Sequence, residues 1–326
     1  MPVQTDNIVS NTFLNTQIGD SSFFVDMSWV QSIERTDNLH KQPGAANIIG
    51  TIEFERNNLN VFSFAGLLNL QSKPQDNVTE RVVIIKKQNI RMGLVLNSVA
   101  GIVEVGTDSV FAMPQIANSS LSSFFENIAI SDSDLFLCIS PNFMAGQDEI
   151  DIPVDLNQDF GAEENQSKTD KNGAHDTAGS NQILLFKVLD KAGAMSEYVF
   201  GMSISQVLQI LEPQKILDVP CSPDFVYGLI NWRNRPVPVI DLYKRVGLRD
   251  SQINDQNRFV IARTLSGGQD VCFPVCFDVN VRKLPLPHQK LSIDSDIDMS
   301  LTTGTFRADD YNLVIPDLDR VVFTET

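Results

Sequence analysis

Basic residues are few in this sequence: 25 Lys and Arg stand against 41 Asp and Glu in 326 residues, a formal net charge of −16 at pH 7. Such a surface repels phosphate backbones and anionic lipid headgroups, which disfavours nucleic acids and membrane surfaces as partners. Apolar runs such as Val82–Ile85 and Leu135–Ile139 are far shorter than the roughly 20 residues of a membrane-spanning helix. The N-terminal residues show no secretory signal. We therefore expect a cytoplasmic protein without membrane insertion.

The chemical groups that enzymes use are also scarce, with four cysteines and three histidines. Four cysteines in a chain of this length do not form a disulfide framework. Cys272 and Cys276 lack the second cysteine pair of a zinc site. Asp294–Asp298 is similar to the start of a calcium loop, but Met299 and Thr305 stand where that loop needs glycine and glutamate. We expect no catalytic residues, no metal and no cofactor.

Alternation of apolar and polar residues dominates the pattern, as in Phe23–Val30 and Tyr198–Ile204, and is typical of strands with one buried face. Other predicted strands are Val82–Lys87, Met92–Leu96, Leu135–Ser140, Ile183–Leu189, Val237–Leu242, Arg258–Ala262 and Tyr311–Ile315. Helical periodicity is scarce: Val30–Arg35 and Val207–Glu212 are interpreted as single turns or short helices, and Asp241–Val246 as a short helix. The sequence predicts a mainly β protein of small barrels or sandwiches.

Residues 146–180 break this pattern, because they are acidic, rich in amides and small residues, and poor in apolar ones. Such a segment buries too little apolar surface to offset the entropy of ordering it. About 30 flexible residues have a root-mean-square reach of roughly 30 Å. We predict an acidic flexible linker at 146–180 between two domains at 8–145 and 181–326.

The two halves are related by an internal repeat. Ile52–Leu70 aligns without a gap with Ile230–Leu248 at an offset of 178, and Gly50 falls on Gly228. Segments before and after this window keep the same order at an offset of 177. The repeat predicts a tandem duplication whose halves share one fold.

The segment Pro220–Leu248, PCSPDFVYGLINWRNRPVPVIDLYKRVGL, resembles the signature of the CheW-like domain, found in chemotaxis coupling proteins and in the chemotaxis histidine kinase. Its matching elements are Gly228, Ile230–Arg233, Pro238–Asp241 and Leu242–Gly247. In the first half, Arg81–Val105 is similar to the family's second barrel. The resemblance implies two tandem CheW-like domains, the first diverged, each made of two small SH3-like five-stranded β-barrels with few short helices.

The same resemblance implies a non-enzymatic cytoplasmic scaffold that couples chemoreceptors to a CheA-type histidine kinase. Its partners would be that kinase, the cytoplasmic tips of chemoreceptors in membrane arrays, and other CheW-like domains. The alternative is a diverged regulator that occupies adaptor positions and inhibits or localises the kinase array.

Family positions that contact the kinase or receptor fall on Val207, Gln209, Gly228, Trp232 and Arg233, and those of the receptor groove fall on Val99 and Ile102. Most have a structural alternative. The three aliphatic residues are candidates for the core, and Gly228 for a special backbone geometry. Arg233 is either an exposed interface residue or the ion-pair partner of Asp241, and Trp232 is either an exposed anchor or buried beneath its loop.

The first half departs from the family pattern where Asn-x-Arg becomes Glu53-Phe54-Glu55 and the strand aspartate becomes Ser63. A carboxylate in place of an arginine cannot keep an ion pair with the same acidic partner. We therefore expect the second domain to keep a kinase or receptor contact, and the first to have changed partner or become a spacer.

Overall fold

The computed structural model describes residues 10–19, 21–41, 47–68, 70, 80–114, 123–144, 182–190, 192–254, 257–276, 280–284, 289–290, 297–308 and 311–324. The predicted linker at 146–180 lies outside the described residues. The domain boundaries at 8–145 and 181–326 therefore stay predictions. We use "first domain" for the described residues up to 144 and "second domain" for those from 182.

The first domain consists of twelve strands and one short helix. They are β1 (Ser10–Ile18), β2 (Ser21–Asp26), β3 (Val30–Arg35), β4 (His40–Lys41), β5 (Ile48–Phe54), β6 (Asn57–Ser63), α1 (Phe64–Leu67), β7 (Arg81–Lys87), β8 (Ile90–Leu96), β9 (Ser98–Gly106), β10 (Val110–Ala112), β11 (Phe125–Ser131) and β12 (Asp134–Ile139), with 3-10 turns at Thr36–Asn38, Thr107–Ser109 and Pro141–Met144. They form two sheets, in the orders β10-β11-β12-β2-β1-β9 and β3-β7-β8-β6-β5-β4.

The second domain repeats this order of elements, except that it has no strand equivalent to β4 and ends in a helix instead of a 3-10 turn. They are β13 (Gln182–Phe186), β14 (Tyr198–Ser203), β15 (Val207–Leu211), β16 (Val226–Asn231), β17 (Pro236–Ile240), α2 (Leu242–Arg245), β18 (Asn257–Arg263), β19 (Asp270–Cys276), β20 (Asn280–Lys283), β21 (Gln289–Lys290), β22 (Thr302–Ala308), β23 (Tyr311–Pro316) and α3 (Leu318–Phe323), with 3-10 turns at Ile204–Gln206 and Met299–Leu301. The sheet orders are β20-β13-β14-β23-β22-β21 and β15-β18-β19-β17-β16.

Irregularities in the strand pairing recur at equivalent places in the two domains. The β3–β7 pairing shifts register after Val30, and the β15–β18 pairing shifts after Val207. The bulges at Gly50 and Gly228 match in the same way. The structure thus confirms a mainly β fold with two repeated domains of two sheets each. Three sheets have six strands instead of five, because the short strands β4, β10 and β21 extend an edge.

The interpretation of Val30–Arg35 and Val207–Glu212 as helical segments is wrong. Both form strands, β3 and β15, that pair antiparallel with β7 and β18. Each lies at a sheet edge and exposes every second side chain, so pairing with a buried neighbour overrides a weak local helical preference. The short helix predicted at Asp241–Val246 is confirmed as α2, which Asp241 caps.

The largest apolar cluster of each domain joins its two sheets, and each sheet has a smaller buried cluster of its own. In the first domain, Phe23 on β2 contacts Phe125 on β11 and Phe64 on α1, with ring centroids 5.8 and 6.2 Å apart. In the second domain, Phe200 on β14 contacts Tyr243 on α2 at 6.3 Å. Burying a side chain of this kind contributes about 1.5–3 kcal/mol. These contacts join both sheets and leave the edge strands β3 and β15 at the surface.

The helices of the described residues are short, and the longest, α3, has 6 residues. None of them combines the length and apolar character that crossing a membrane requires.

Candidate partner-binding site

The turn between β16 and β17 places Arg233 at the tip of a hairpin. Trp232 and Arg235 exchange backbone hydrogen bonds of 2.9 and 3.1 Å across it. Arg233 and Asn234 have positive φ angles of 52° and 59°. Positive φ at both central residues is the geometry of a type I′ turn, whose twist matches the flanking strands. A left-handed conformation is unfavourable for arginine, so the surrounding structure holds Arg233 in place.

Three of the predicted residues meet beside this turn. Gln209 Oε1 on β15 accepts hydrogen bonds from Trp232 Nε1 at 3.0 Å and from Arg233 Nη2 at 3.2 Å. The Arg233 guanidinium also lies over the Trp232 ring, 4.7 Å from its centroid. A cation–π contact and a shared acceptor together fix the direction of the arginine. Because β15 and β16 are the two edges of one sheet, Gln209 also links these edges.

The prediction of Trp232 as an exposed anchor is wrong, since only 7% of this residue is exposed. Its alternative, burial beneath the loop, is what the structure has. The indole N–H explains the arrangement: a buried donor needs an acceptor, and Gln209 supplies one. Trp232 therefore supports the turn from below.

Arg233 does not pair with Asp241. The buried Asp241 carboxylate accepts hydrogen bonds from the Lys244 N–H at 3.0 Å, the Tyr227 hydroxyl at 2.9 Å and the Ser251 N–H at 3.0 Å. Asp241 is the N-cap of α2, and these three donors all belong to its own domain. Arg233 remains exposed at the hairpin tip, as the interface alternative requires.

Gly228 acts through backbone geometry. It is buried, has a φ of +136°, and a Cβ atom placed there would lie 2.1 Å from the Leu217 carbonyl oxygen. Its repeat partner Gly50 also lies close to a neighbouring segment, since a Cβ atom placed there would lie 2.4 Å from the His40 carbonyl oxygen. Both glycines let a neighbouring segment approach a bulged strand. The prediction of Gly228 as a contact residue does not hold for this buried position.

Two exposed apolar residues on β15 lie next to Gln209 and were missed by the sequence prediction. Leu208 is 38% exposed and Ile210 is 44% exposed. Val207 is half-buried and packs against the core of the second domain, as its structural alternative expects. An edge strand with outward apolar side chains is open to a partner. We call Leu208, Gln209, Ile210 and Arg233 the Arg233 surface.

A model of the CheW-like domain matches the chain twice, over residues 12–149 and 182–324. The two matches cover both domains of the structure. The chain belongs to the CheW-like domain family. This is an adaptor and scaffold domain family of chemotaxis, and the domain itself is not an enzymatic one.

Individual CheW proteins match parts of the chain. The chemotaxis protein CheW of Treponema pallidum is 30% identical over 66 residues, covering 20% of this chain and 39% of that protein. CheW of Bacillus subtilis is 39% identical over 62 residues, covering 19% of this chain and 40% of that protein. The matches thus span less than half of either relative. A crystal structure of the scaffolding protein TtCheW from Thermoanaerobacter tengcongensis aligns with a TM-score of 0.39 and 15% identity, covering 44% of this chain and 93% of that one.

The predicted groove residues of the first CheW-like domain lie on its edge strand β9. Val99 is half-buried and packs against the core, which supports its structural alternative. Ile102 is 62% exposed. In the second CheW-like domain, Val281 lies at the equivalent position. Ile102 pairs with Leu14 on β1, and Val281 pairs with Leu184 on β13, the corresponding strand. Val281 is 51% exposed and was missed by the sequence prediction.

One buried tyrosine near the site and two buried cysteines stay in their neutral forms. Burial, with the nearby Asp241 carboxylate adding to it, raises the pKa of Tyr227 far above its ordinary value, so its hydroxyl remains a donor to Asp241. Burial also raises the pKa of Cys138 to about 12 and that of Cys272 well above its ordinary range, which disfavours the nucleophilic thiolate. Within the described ranges, no group of three or more His, Cys, Asp or Glu side chains is arranged to hold a metal ion.

Proposed function

We propose that this chain is a cytoplasmic tandem adaptor that couples the tips of chemoreceptors to a CheA-type histidine kinase. The second domain makes the partner contact through the Arg233 surface. The observation that carries this proposal is the exposed Arg233, held in a fixed direction at the tip of a strained turn. A pre-oriented arginine loses little entropy on binding, and arginine is frequent among the residues that dominate interface energies.

Exposed apolar area on the same edge strand supports the same proposal. Leu208 and Ile210 flank Gln209 along β15 and are exposed, whereas Gln209 turns inward to hold Arg233. In the first domain the equivalent positions, 177 residues earlier, carry Gln31 and Ile33. The first domain therefore offers one exposed apolar residue where the second offers two. A partner with an acidic group and an apolar strip fits the second domain better.

The exposed Ile102 and Val281 support a second contact, in which each domain receives a receptor helix along its edge strand β9 or β20. Two such domains on one chain raise the effective concentration of the second once the first is bound. Individually weak contacts are thereby sufficient for a scaffold.

A charge-reversal experiment in the full chain tests this function. Arg233→Glu should weaken binding to a receptor tip or to the kinase regulatory region at least tenfold, about 1.4 kcal/mol, and lower receptor-coupled kinase autophosphorylation. The matched control Glu55→Arg changes the equivalent position of the first domain and should not weaken binding. Equal loss in both variants, or none in Arg233→Glu, contradicts the assignment of partner binding to the second domain.

The acidic Glu55 favours a second candidate function, a regulator that occupies adaptor positions and inhibits or localises the kinase array. The exposed carboxylate reverses the charge that a family partner would meet. The two functions predict opposite changes in kinase autophosphorylation. Adding the protein to receptor and kinase raises autophosphorylation if it is an adaptor and lowers it if it is an inhibitor.

A further inference from the structure

The two domains touch each other through unlike faces. β12 of the first domain lies against β16 of the second. Val219 and Leu229 of the second domain are buried and belong to the same cluster of contacting apolar side chains as the first-domain core, and the half-buried Leu217 packs against that cluster. Apolar contact therefore runs continuously from one domain into the other, as in a docked interface.

Polar contacts surround this apolar contact and link the β11–β12 turn to the second domain. Asn231 Nδ2 donates a hydrogen bond of 2.9 Å to the Ser133 carbonyl oxygen. Lys215 Nζ lies 2.8 Å from Asp134 Oδ1. A cleft of about 630 Å³ lies between the domains, with residues of both in its walls and Arg233 among them. The neighbour of Asn231 in sequence, Trp232, is the residue that supports Arg233.

We propose that the first domain is the intramolecular docking partner of the second, with the β11–β12 turn, Ser131–Asp134, bound beside the β16–β17 hairpin. The contact joins unlike faces of two similar domains, so it is a head-to-tail contact rather than a symmetric one. This inference goes beyond the adaptor function and does not depend on it. It gives the diverged first domain a partner inside its own chain.

The charges at the contact explain why this face selects the second domain. Asp134 meets a cation, Lys215, and the Ser133 carbonyl oxygen meets an amide donor, Asn231. The first domain carries Asn38 and Glu53 at the equivalent positions. A first domain from another copy would therefore bring the Glu53 carboxylate, which has no donor, to the Ser133 carbonyl oxygen, and the neutral Asn38 in place of the cation that pairs with Asp134. An unpaired acceptor, a second carboxylate near Asp134 and the loss of the ion pair all disfavour that partner.

Cross-linking of the full chain tests the docked arrangement. In a Cys221→Ser background, which removes the exposed native thiol, Ser109→Cys and Asn234→Cys place two thiols at facing positions, since the native side chains approach to 3.5 Å. This pair leaves the Asn231 and Lys215 contacts intact. A short bismaleimide should convert most of the chain to an internally linked monomer, with a yield that does not change on dilution.

The control pair is Arg56→Cys with Tyr311→Cys, the repeat counterparts of Asn234 and Asp134, which probes the opposite arrangement, the first-domain hairpin against the second-domain turn. It should stay at background, and equal linking in both pairs, or background in both, would overturn the proposal. Asp134→Lys in the first pair should lower the linking rate several-fold by placing two cations together. Adding Lys215→Asp should restore the rate, and an unchanged rate in Asp134→Lys would overturn the assigned pairing.

Discussion

The β5–β6 turn of the first domain and the β16–β17 turn of the second have similar φ angles and opposite charges at the first of their two central residues. Glu55 and Arg56 have φ angles of 49° and 64°, and Arg233 and Asn234 have 52° and 59°. Both turns therefore hold two non-glycine residues in the left-handed region. The geometry was kept after duplication although the residue at the tip changed from one charge to the other.

The contact of a guanidinium with an aromatic ring is also present in both domains, but a different strand supplies the cation. In the first domain Arg91, on β8, lies over the Phe54 ring at 5.1 Å and pairs with Glu55. In the second domain Arg233 itself lies over the Trp232 ring. The same support beneath the turn thus leaves an exposed carboxylate paired with Arg91 in one domain and an exposed cation in the other.

This comparison teaches which features the fold constrains. The turn geometry, the ring beneath it and the bulged glycine are set by closure of the sheet, so both domains retain them. The charge at the tip contributes little to the fold, because exposed ion pairs contribute about 0–1 kcal/mol. It was therefore free to diverge, which is expected where the partners of the two domains differ.

The bulge glycines give the largest expected effect on stability. Gly228→Ala combines a Cβ placed 2.1 Å from a carbonyl oxygen with a positive φ, whereas Gly50→Ala has the close approach alone, at 2.4 Å. We expect Gly228→Ala to cost about 3–4 kcal/mol and Gly50→Ala about 1–3 kcal/mol in free energy of unfolding. Urea unfolding followed by tryptophan fluorescence is read at one position in each domain, because Trp232 lies in the second domain and Trp29 in the first.

Each reporter is read in a variant in which the other tryptophan is replaced by phenylalanine. A cost for Gly50→Ala equal to that for Gly228→Ala would show that the close approach, and not the backbone angle, determines both sites.

The helix caps give the next largest effect. Asp241 caps α2, and its repeat partner Ser63 caps α1 by accepting a hydrogen bond from the Gly66 N–H. Asp241 also accepts hydrogen bonds from Tyr227 and Ser251. Asp241→Ala should therefore cost about 2–4 kcal/mol and Ser63→Ala about 1 kcal/mol in the free energy of unfolding.

Asp241→Asn is the control, since it keeps an acceptor at the cap and should recover part of the loss. In Asp241→Ala the pKa of Tyr227 should fall, because a carboxylate that raises it has gone, but should stay above its ordinary value because the burial remains. An absorbance titration measures this shift. An unchanged Tyr227 pKa would contradict the direct contact between the two side chains.

The duplicated β fold was predictable because its signals are local: alternating residues, and a repeat at a nearly constant offset. Strand β19 departs from the offset of the repeat because its hairpin is longer. The offset rises from 177 between Ile84 and Ile261 to 179 between Gly93 and Cys272, the residues that pair with them. The added residues lie in the β18–β19 turn, which alternation of apolar residues does not mark. Val281, the structural counterpart of Ile102, follows this turn and was missed for the same reason.

At the site, the motif predicted Gln209, Trp232 and Arg233, which the structure brings together. It did not settle whether Trp232 is exposed or which group Arg233 contacts. Both points depend on the contact with Gln209, which lies on the opposite edge of the sheet and 23 residues before Trp232 in the sequence. Leu208 and Ile210 were missed because four of the five residues in VLQIL are apolar, so the sequence gives no inward or outward face.

Loss of the Gln209 acceptor should have a smaller effect than loss of a cap. Gln209→Ala leaves the buried Trp232 N–H without its acceptor and should cost about 1–2 kcal/mol. The equivalent first-domain residue, Ser32, donates to Glu34 on its own strand. Ser32→Ala should therefore cost less than about 0.5 kcal/mol, as is usual for surface substitutions. Gln209→Glu, which keeps an acceptor, is the control, and a Trp232 emission unchanged in Gln209→Ala would contradict the contact.

The smallest expected effect distinguishes the domains by their response to acid. Burial acts to raise the pKa of Asp319, but hydrogen bonds from Ser266 and from the Leu265 and Gly267 backbone outweigh it and hold that pKa below its ordinary value. Because its pKa is lower in the folded state, the ionised Asp319 stabilises the second domain at pH values above about 3.9, the pKa of an aspartate in an unfolded chain. This contribution is lost as the pH falls through the folded-state pKa. Asp319→Asn should therefore lower the urea midpoint reported by Trp232 at pH 7, with a difference from the parent chain that shrinks below about pH 4. The midpoint reported by Trp29 should not change, and an equal shift of both midpoints would mean that the domains unfold as one unit.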